Sequence, residues 1–522
     1  MKKIIYSLLL CLSAYNLSAS EASNAGKPAI TQKTTPAKKK IKILILTSNG
    51  GGGQVSVNLA IREILGNLDD LYDYETVSTL FFPEVANKVD PVSWFTFGYY
   101  SGEDLYNYWQ KKGYFGVLQS SSEFSRWYYY ALSPFVVSQT ANYIEKVKPD
   151  LVISIIPIVN NIIAKACARN KVPLLIIPPD FDIAFYTQDL RLKKFKENVF
   201  IALPFDNDLS RQSIQESKKA YKSIKKENIF SFQYPLRQEF YEKKDINSIK
   251  KDFSINDKNP VILLMMGAQG NNSLYSFAQQ IAKIQDKAHL FICTGKYEAI
   301  IPKLKSLYFP PNLTVHILGY TNRVSDLMAI SDLMISKTGA ISVVESLYSR
   351  LPIIADQTEY VVSWELFHQK FIEKNKTGFI LKNIKNLPAM ITDLLKNPKK
   401  LKEAKSNIDA ILKTQPKNGI ESIIKKIIDE TLSLIIDLKR DFDQQQQIRQ
   451  GIRIAIVGSV NAGKSSLFNA ILKKDRAIVT EIAGTTRDVI EAGLYRENNY
   501  WTLIDTAGIR QQNRSCTGRI YQ

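Results

Sequence analysis

At 522 residues the chain is too long for one hydrophobic core, and its 45% hydrophobic content with 11% aromatics excludes a disordered or low-complexity protein. Lys+Arg outnumber Asp+Glu by 69 to 50, a net charge of +19, which favours anionic partners such as phosphate groups, an acidic membrane surface or RNA. A lysine-rich composition with solvated side chains on helix faces is the competing explanation.

The first element is a signal-like segment over residues 1–20: Lys2 and Lys3, an apolar run from Ile4 to Leu17, then the small residues Ser18, Ala19 and Ser20. Leu10 stands before Cys11 where a lipoprotein signal wants a small residue. Residues 21–40, rich in Ser, Thr, Pro and Ala and ending in Lys38, Lys39 and Lys40, read as a flexible linker. Membrane association is therefore expected. An uncleaved anchor, a misassigned start and export all stay open, and with them the side of the membrane.

From residue 41 to about 400 short apolar runs alternate with helical stretches. Ile41–Thr47, Leu151–Ile156, Leu174–Pro178 and Val199–Leu203 read as buried parallel strands. A second series follows Tyr234 and Pro235: Val261–Met266, His289–Thr294, Thr314–Leu318, Leu333–Ser336 and Pro352–Ala355. Two such series predict two facing, doubly wound α/β domains, at residues 41–240 and 241–400, with a ligand at the carboxyl ends of their strands. Residues 385–448 read as a closing helix and a linker helix, ending in a short polar joint at Gln444–Gln447. That places a helical linker at 401–450 and a third module at 451–522. Four cysteines give no disulfide framework, and His289, His316 and His368 are scattered without metal-ligand spacing.

Two glycine-rich loops follow predicted strands. Gly50, Gly51, Gly52 and Gly53, then Gln54, come after Ile41–Leu46; without side chains they let the backbone approach a substrate closely. Gly458 to Ser465 reads G-x-x-x-x-G-K-S directly after the run Ile452–Val457, a phosphate-binding loop in the strand-to-helix setting it requires. In the second domain, Gly267 and Gln269 follow one strand, and Thr338, Gly339 and Ala340 follow another. Both loops can offer backbone N–H groups and helix N-termini to phosphates.

The segments Ile41–Gln54 and Ala60–Glu63, Pro179–Asp182, Tyr234–Phe240, and Ser336–Ser346 resemble the diacylglycerol glycosyltransferases, the monogalactosyldiacylglycerol synthase family, relatives of the MurG-type lipid-linked sugar transferases. The resemblance spans about residues 41–400 and implies a GT-B fold. It implies transfer of a hexose from a nucleotide sugar of the UDP class to a lipid acceptor such as diacylglycerol, with no cofactor required. Gly267, Gln269, Thr338, Gly339, Ala340 and Glu345 would bind the donor, Glu345 as the carboxylate accepting the ribose hydroxyls. Gly51, Gly52 and Gly53 would face the acceptor. The family usually follows its glycine run with a histidine general base, and here that position is Gln54, an amide that takes no proton. Asp180 and Asp182 are the candidate substitutes, with capping of the strand end as their structural alternative. Between residues 94 and 135 lie Trp94, Trp109 and Trp127, three of the five tryptophans, with Lys111, Lys112 and Arg126. This stretch suits a lipid acceptor at a membrane surface, or equally aromatic packing within helices.

The phosphate loop, with Ala483–Asp488 and with Asp505–Arg510 after Trp501–Ile504, resembles the tRNA uridine-modification GTPase family (MnmE/TrmE). The resemblance implies GTP contacts from Asn461, Ala462, Gly463, Lys464, Ser465, Ser466, Thr480, Gly484, Thr485, Thr486, Asp505, Thr506, Ala507 and Gly508. Ser465 and Thr486 would ligate Mg²⁺, and Asn461, Thr480, Ile482 and Thr485 would surround K⁺. The sequence runs only fourteen residues past Gly508 and holds no N-K-x-D guanine motif, so an incomplete, vestigial G domain is expected and tRNA is not expected as a partner. The leading expectation is thus an α/β glycosyltransferase of the GT-B type carrying a partial GTP-binding domain. A tRNA-modifying GTPase and a non-catalytic nucleotide-binding fusion are the alternatives.

Overall fold

The structure, a computed structural model of the chain, describes residues 39–50, 52–68, 72–188, 190, 198–203, 210–213, 224–267, 270–450, 452–457, 463–474, 477–478, 490–496 and 499–505. The described parts of Ile41–Leu68 and Tyr74–Gln522 form one compact unit. The signal-like segment and most of the following linker lie outside the described residues.

The first lobe is built on β1 (Lys39–Thr47), β2 (Tyr72–Leu80), β3 (Leu151–Ser154), β4 (Leu174–Ile176), β5 (Val199–Leu203) and β6 (Ile229–Ser231), in the sheet order β2-β1-β3-β4-β5-β6. From β1 to β6 all neighbours run parallel, with Ile43 opposite Leu151 and Leu174 opposite Val199. The second lobe comprises β7 (Val261–Met265), β8 (Ala288–Cys293), β9 (Leu313–Leu318), β10 (Leu333–Ser336), β11 (Ile353–Asp356) and β12 (Gly378–Leu381), ordered β12-β11-β10-β7-β8-β9 and parallel throughout. Interior strands such as β3, β5 and β7 are buried along their whole length, because helices cover both faces of a parallel sheet and every side chain must be apolar or paired.

Within these two lobes three strands had no sequence signal: β2, β6 and β12. Each lies at an edge, where one side of the ladder is open and a continuous apolar run is not needed. β2 reads Tyr-Asp-Tyr-Glu-Thr-Val-Ser-Thr-Leu and is mostly half-buried.

The chain beyond the second lobe is helical, at Leu387–Lys396, Pro398–Thr414 and Ile420–Gln450. Ile420, Ile423, Ile424, Ile427 and Ile428 are all buried, the stripe expected of a helix packed on one face. That stripe returns to the first lobe. Gln233 N–H donates to the Asn418 carbonyl at 2.8 Å, and the Lys426 ammonium sits 4.8 Å from the centre of the Phe230 ring. The helix continues unbroken through Gln444–Gln447, where the sequence suggests a joint, since glutamine is a good helix former.

The third sheet follows at once: β13 (Ile452–Ile456), β14 (Ala477–Ile478), β15 (Ile490–Arg496) and β16 (Asn499–Asp505), ordered β13-β16-β15-β14. β13 and β16 are parallel with Ile456 opposite Asp505, while β15 is antiparallel to both its neighbours. Phe468, from the helix Lys464–Lys474, packs with Leu503 of β16.

The lobes are joined by more than the connecting chain. Val362 and Trp364, at the start of the second-lobe helix Ser363–Asn375, belong to the hydrophobic core of the first lobe. Trp364 stacks on Phe185 at 4.9 Å, and Gln119 accepts from the Ser363 N–H at 3.0 Å.

Candidate active site

A cavity of about 620 Å³ opens between the lobes. Its lining comes from the carboxyl ends of strands on both sides. Ser48 and Gly50 follow β1, Ile156–Ile158 follow β3, Pro179 and Asp180 follow β4, Met266 and Gly267 follow β7, Gly295 and Lys296 follow β8, and Lys337 and Gly339 follow β10. That is where α/β sheets put their ligands, because strand ends and helix N-termini converge there.

Gly52, Gly53 and Gln54 begin the helix Gly52–Gly66 and face the same cavity as Gly339, Ala340 and Glu345. A Cβ built on Gly53 would stand 3.6 Å from Ile341, so the two lobes meet closely at this loop. The Gln54 Oε1 is buried without a partner. Gly51 lies outside the described residues.

On the second lobe, Gly267 has φ +81° and Gly270 φ +71°, left-handed conformations that suit glycine, and the Gly270 N–H closes the turn onto the Gly267 carbonyl at 3.1 Å. Gln269, between them, lies outside the described residues. Gly339 caps the helix Ala340–Tyr348 in an extended conformation, and with Ala340 it presents the helix N-terminus to the cavity. Thr338 is set back from the lining. Its side chain is buried with Oγ1 unpartnered, and its carbonyl accepts from His368.

Glu345 is buried one helical turn further in, where the Arg237 guanidinium reaches it at 3.2 Å while also holding Glu239 at 2.7 Å. Burial pushes the Glu345 carboxyl up to about 7, with Arg237 pulling it back down. The cations in the lining, Arg237, Lys296 and Lys337, all come from the interlobe segment or the second lobe. Arg237 and Lys337 lie inside recognisable motifs, so their positions in the sequence were visible while their partners were not.

Asp180 and Asp182 part company. Asp180 lines the cavity, 19% exposed, and accepts from the Tyr186 hydroxyl at 2.6 Å. Burial raises its carboxyl to about 6, and Asp182 adds to the rise while Tyr186 opposes it. Asp182 is absent from the lining; it accepts from Ser213 Oγ at 2.7 Å, and that oxygen in turn accepts from the Ala184 N–H. It fastens a loop, as the capping alternative anticipates.

The aromatic stretch also divides. Tyr129 is buried, and Tyr106, Trp109, Phe115 and Tyr128 pack against the first-lobe core. Trp94, Phe95, Phe97, Tyr99 and Tyr100 are 62–93% exposed on one short segment. Asp90 ties the two ends of that segment, accepting from the N–H groups of Val92, Ser93 and Gly102.

In the third module, Gly463 has φ +79° and its carbonyl accepts from the Leu467 N–H at 2.9 Å; Lys464, Ser465 and Ser466 form the first turn of the following helix. The pairing of β13 with β16 sets Asp505 at the same sheet end as that loop. Asn461, Ala462, Thr480, Ile482, Gly484, Thr485, Thr486, Thr506, Ala507 and Gly508 lie outside the described residues. No group of three or more His, Cys, Asp or Glu among the described residues is arranged to hold a metal.

Comparison with known proteins follows this division. Residues 261–426 match the glycosyltransferase family 28 C-terminal domain, and residues 453–521 match the 50S ribosome-binding GTPase family. The chain thus carries a stretch that matches the C-terminal domain of family 28 glycosyltransferases and, beyond it, a stretch that matches a GTPase family. Among curated relatives, it is similar to the tRNA modification GTPase MnmE of Aquifex aeolicus, 38% identical over 144 residues, which cover 27% of this chain and 30% of the relative. It is also similar to MnmE of Mycoplasmopsis synoviae, 27% identical over 278 residues, covering 51% and 60% respectively. The chain therefore spans less than two thirds of these relatives. Among solved structures, it resembles Acinetobacter baumannii MurG, with a TM-score of 0.47 and 13% identity over 74% of this chain and 99% of that one. For Anabaena Alr3699/HepE in complex with UDP-glucose the TM-score is 0.44 and the identity 14%, over 75% and 99%.

Proposed function

We propose that the cleft transfers a sugar from a nucleotide sugar of the UDP class to a hydroxyl of a lipid acceptor such as diacylglycerol. The observation that carries this reading is the shared cavity, in which Gly52–Gln54 of one lobe face Gly339, Ala340 and Glu345 of the other. The donor sits on the second lobe. Its diphosphate lies against the Gly267 turn and the N-terminus of Ala340–Tyr348, with Arg237, Lys296 and Lys337 supplying positive charge to the leaving group. Glu345 in its ionised form accepts the ribose hydroxyls.

Asp180 is the general base in place of the histidine that Gln54 replaces. It stands at the cavity wall, and a carboxyl titrating at about 6 is ionised at neutral pH yet more basic than an ordinary aspartate. It takes the proton from the acceptor hydroxyl as that oxygen attacks the anomeric carbon and the nucleoside diphosphate departs. Asp182 keeps its structural place.

Leu59 and Phe124, both about half exposed, lie at the cavity lining, and the segment Trp94–Tyr100 is exposed on the same lobe. These apolar side chains suit an acyl-chain path from a membrane surface to the site. Among the described residues no helix is long and apolar enough to cross a membrane.

The GTPase domain adds a nucleotide site of its own. Ser465 opens the helix after the loop and Asp505 ends the paired strand β16, which supports Mg²⁺ held there with GTP, where the ion would neutralise charge on the terminal phosphates. The assigned Mg²⁺ ligand Thr486 and the K⁺ ligands Asn461, Thr480, Ile482 and Thr485 lie outside the described residues.

The test is turnover of UDP-sugars by the full chain with diacylglycerol in mixed micelles, read as glycolipid formed. Formation of glycolipid with release of UDP is the expected result. Potassium-stimulated GTP hydrolysis without sugar transfer would instead favour the GTPase as the working part.

A further inference from the structure

We infer that His368 is a positioning residue that locks the base-bearing loop of the first lobe onto the donor loop of the second. The inference rests on the assignment of Asp180 as base. His368 comes from the second-lobe helix Ser363–Asn375 and is fully buried. Its Nδ1–H donates to the Thr338 carbonyl at 2.7 Å, immediately before Gly339. Its Nε2 accepts from the Phe181 N–H at 3.2 Å, immediately after Asp180. One imidazole thus bridges the residue next to the phosphate-facing glycine and the residue next to the base.

Donation at one nitrogen and acceptance at the other define a neutral ring with its proton on Nδ1. The ring also meets Phe181 edge-on at 4.9 Å, and Phe181 meets Phe371 at 5.1 Å, so an aromatic stack from the second lobe grips the loop as well. Nε2 lies 3.8 Å from the nearer Asp180 oxygen, outside hydrogen-bond range. The imidazole therefore leaves that oxygen without a hydrogen bond from Nε2.

Besides the Asp182–Ser213 contact, the loop is fastened from the first lobe and the interlobe segment by two tyrosines. The Tyr186 hydroxyl donates to Asp180, and the Tyr234 hydroxyl donates to the Pro179 carbonyl at 2.9 Å. Those bonds hold the loop on its own lobe. His368 sets the distance between the base and the donor, which is the quantity that sugar transfer depends on. A misplacement of about 1 Å between reacting groups costs up to ~10²-fold in rate.

The test compares His368→Phe, which keeps a ring against Phe181 but removes both nitrogens, with His368→Gln, which keeps one N–H donor and one acceptor. Each is assayed in the full chain for kcat and UDP-sugar KM of transfer, and for acceptor-independent UDP release. Expected for His368→Phe is a ~10–100-fold fall in transfer kcat, with donor KM within about threefold, because the donor is held by Gly267, Arg237 and Glu345. His368→Gln should recover most of the lost kcat. Unchanged kcat in His368→Phe, or a loss that falls equally on KM and is shared by His368→Gln, would overturn the inference. Asp180→Asn, run in parallel, separates the two ideas. If it keeps full transfer, the base assignment is lost; if it is inactive while His368→Phe is normal, only the positioning role is lost.

Discussion

The transferase cleft and the phosphate loop of the GTPase domain both place a helix N-terminus at the end of a parallel strand, yet they assemble their charge differently. The GTPase loop carries its own cation, with Lys464 directly after Gly463 and Ser465 directly after that. The loop at Gly339 has Lys337 beside it but also draws on side chains distant in sequence: Arg237 from the interlobe segment, Lys296 from behind β8, and Asp180 from the other lobe. A local site needs only one strand–loop–helix unit to form, whereas the cleft exists only when two sheets and their connector have docked. The cleft should accordingly fail through single residues far apart in sequence.

The largest such failure is expected at Asp180. Asp180→Asn keeps the size and the Tyr186 contact but removes the proton acceptor, and transfer should fall by about 10²–10⁴ with donor KM little changed. The wild type carries a matching signature. Since the carboxyl titrates at about 6, kcat at saturating UDP-sugar should drop tenfold per pH unit as pH falls below that value, the ionised form being the active one. A profile flat down to pH 5 would remove Asp180 from the mechanism.

Lys464→Ala tests the local side of the comparison. It should lower GTP affinity in the full chain by at least about tenfold, since one charge-assisted contact to phosphate is worth ~1.5–3 kcal/mol. Glycolipid formation should stay within about twofold. A parallel loss of transfer would show that the two nucleotide sites are coupled, with the long helix Ile420–Gln450 as the physical connection.

The same contrast explains what could be read from the sequence. The interior strands of both lobes and the glycine turns were legible because their signals are local: apolar runs and a Gly-x-x-Gly spacing. Glu345 was reached only through the family resemblance of its segment. The edge strands β2, β6 and β12 were not, because a half-open ladder tolerates mixed side chains. Asp180 and Asp182 could not be told apart by spacing, since Ser213, the partner that fastens Asp182, is 31 residues away. His368 carried no signal at all. Its partners Phe181 and Thr338 are 187 and 30 residues distant, and only the docking of the lobes gives it a role.

A smaller effect is expected at Glu345. Glu345→Gln should raise UDP-sugar KM by about 10–100-fold, the value of hydrogen bonds to a charged group, with kcat less affected. Stability should respond as well. The folded carboxyl titrates at about 7 while an unfolded glutamate does so near ~4.3, so the native state holds a proton that the unfolded chain has lost between those values. Its stabilisation is therefore full below about 4.3 and is lost as pH rises to about 7. In the ligand-free protein the melting temperature of the wild type should decline over that window more steeply than that of Glu345→Gln.

The smallest expected effect concerns the glycines, where the two sites rely on the same backbone geometry. Gly267 at φ +81° and Gly463 at φ +79° both occupy the left-handed region, so alanine at either costs about 1–2 kcal/mol before any contact is considered. At Gly267 a Cβ would also stand 3.0 Å from Lys337 Cε, pressing on a cation assigned to the diphosphate, whereas at Gly463 nothing lies within 4 Å. Gly267→Ala should therefore combine lower stability with a several-fold rise in UDP-sugar KM. Gly339 is the internal control. Its φ of −64° is open to any residue, and no atom lies within 4 Å of an added Cβ, so Gly339→Ala should leave both stability and donor KM nearly unchanged. If Gly339→Ala proved the more damaging of the two, the donor phosphates would have to pack directly on the backbone at Gly339. The weight of diphosphate recognition would then shift from the Gly267 turn to the N-terminus of Ala340–Tyr348.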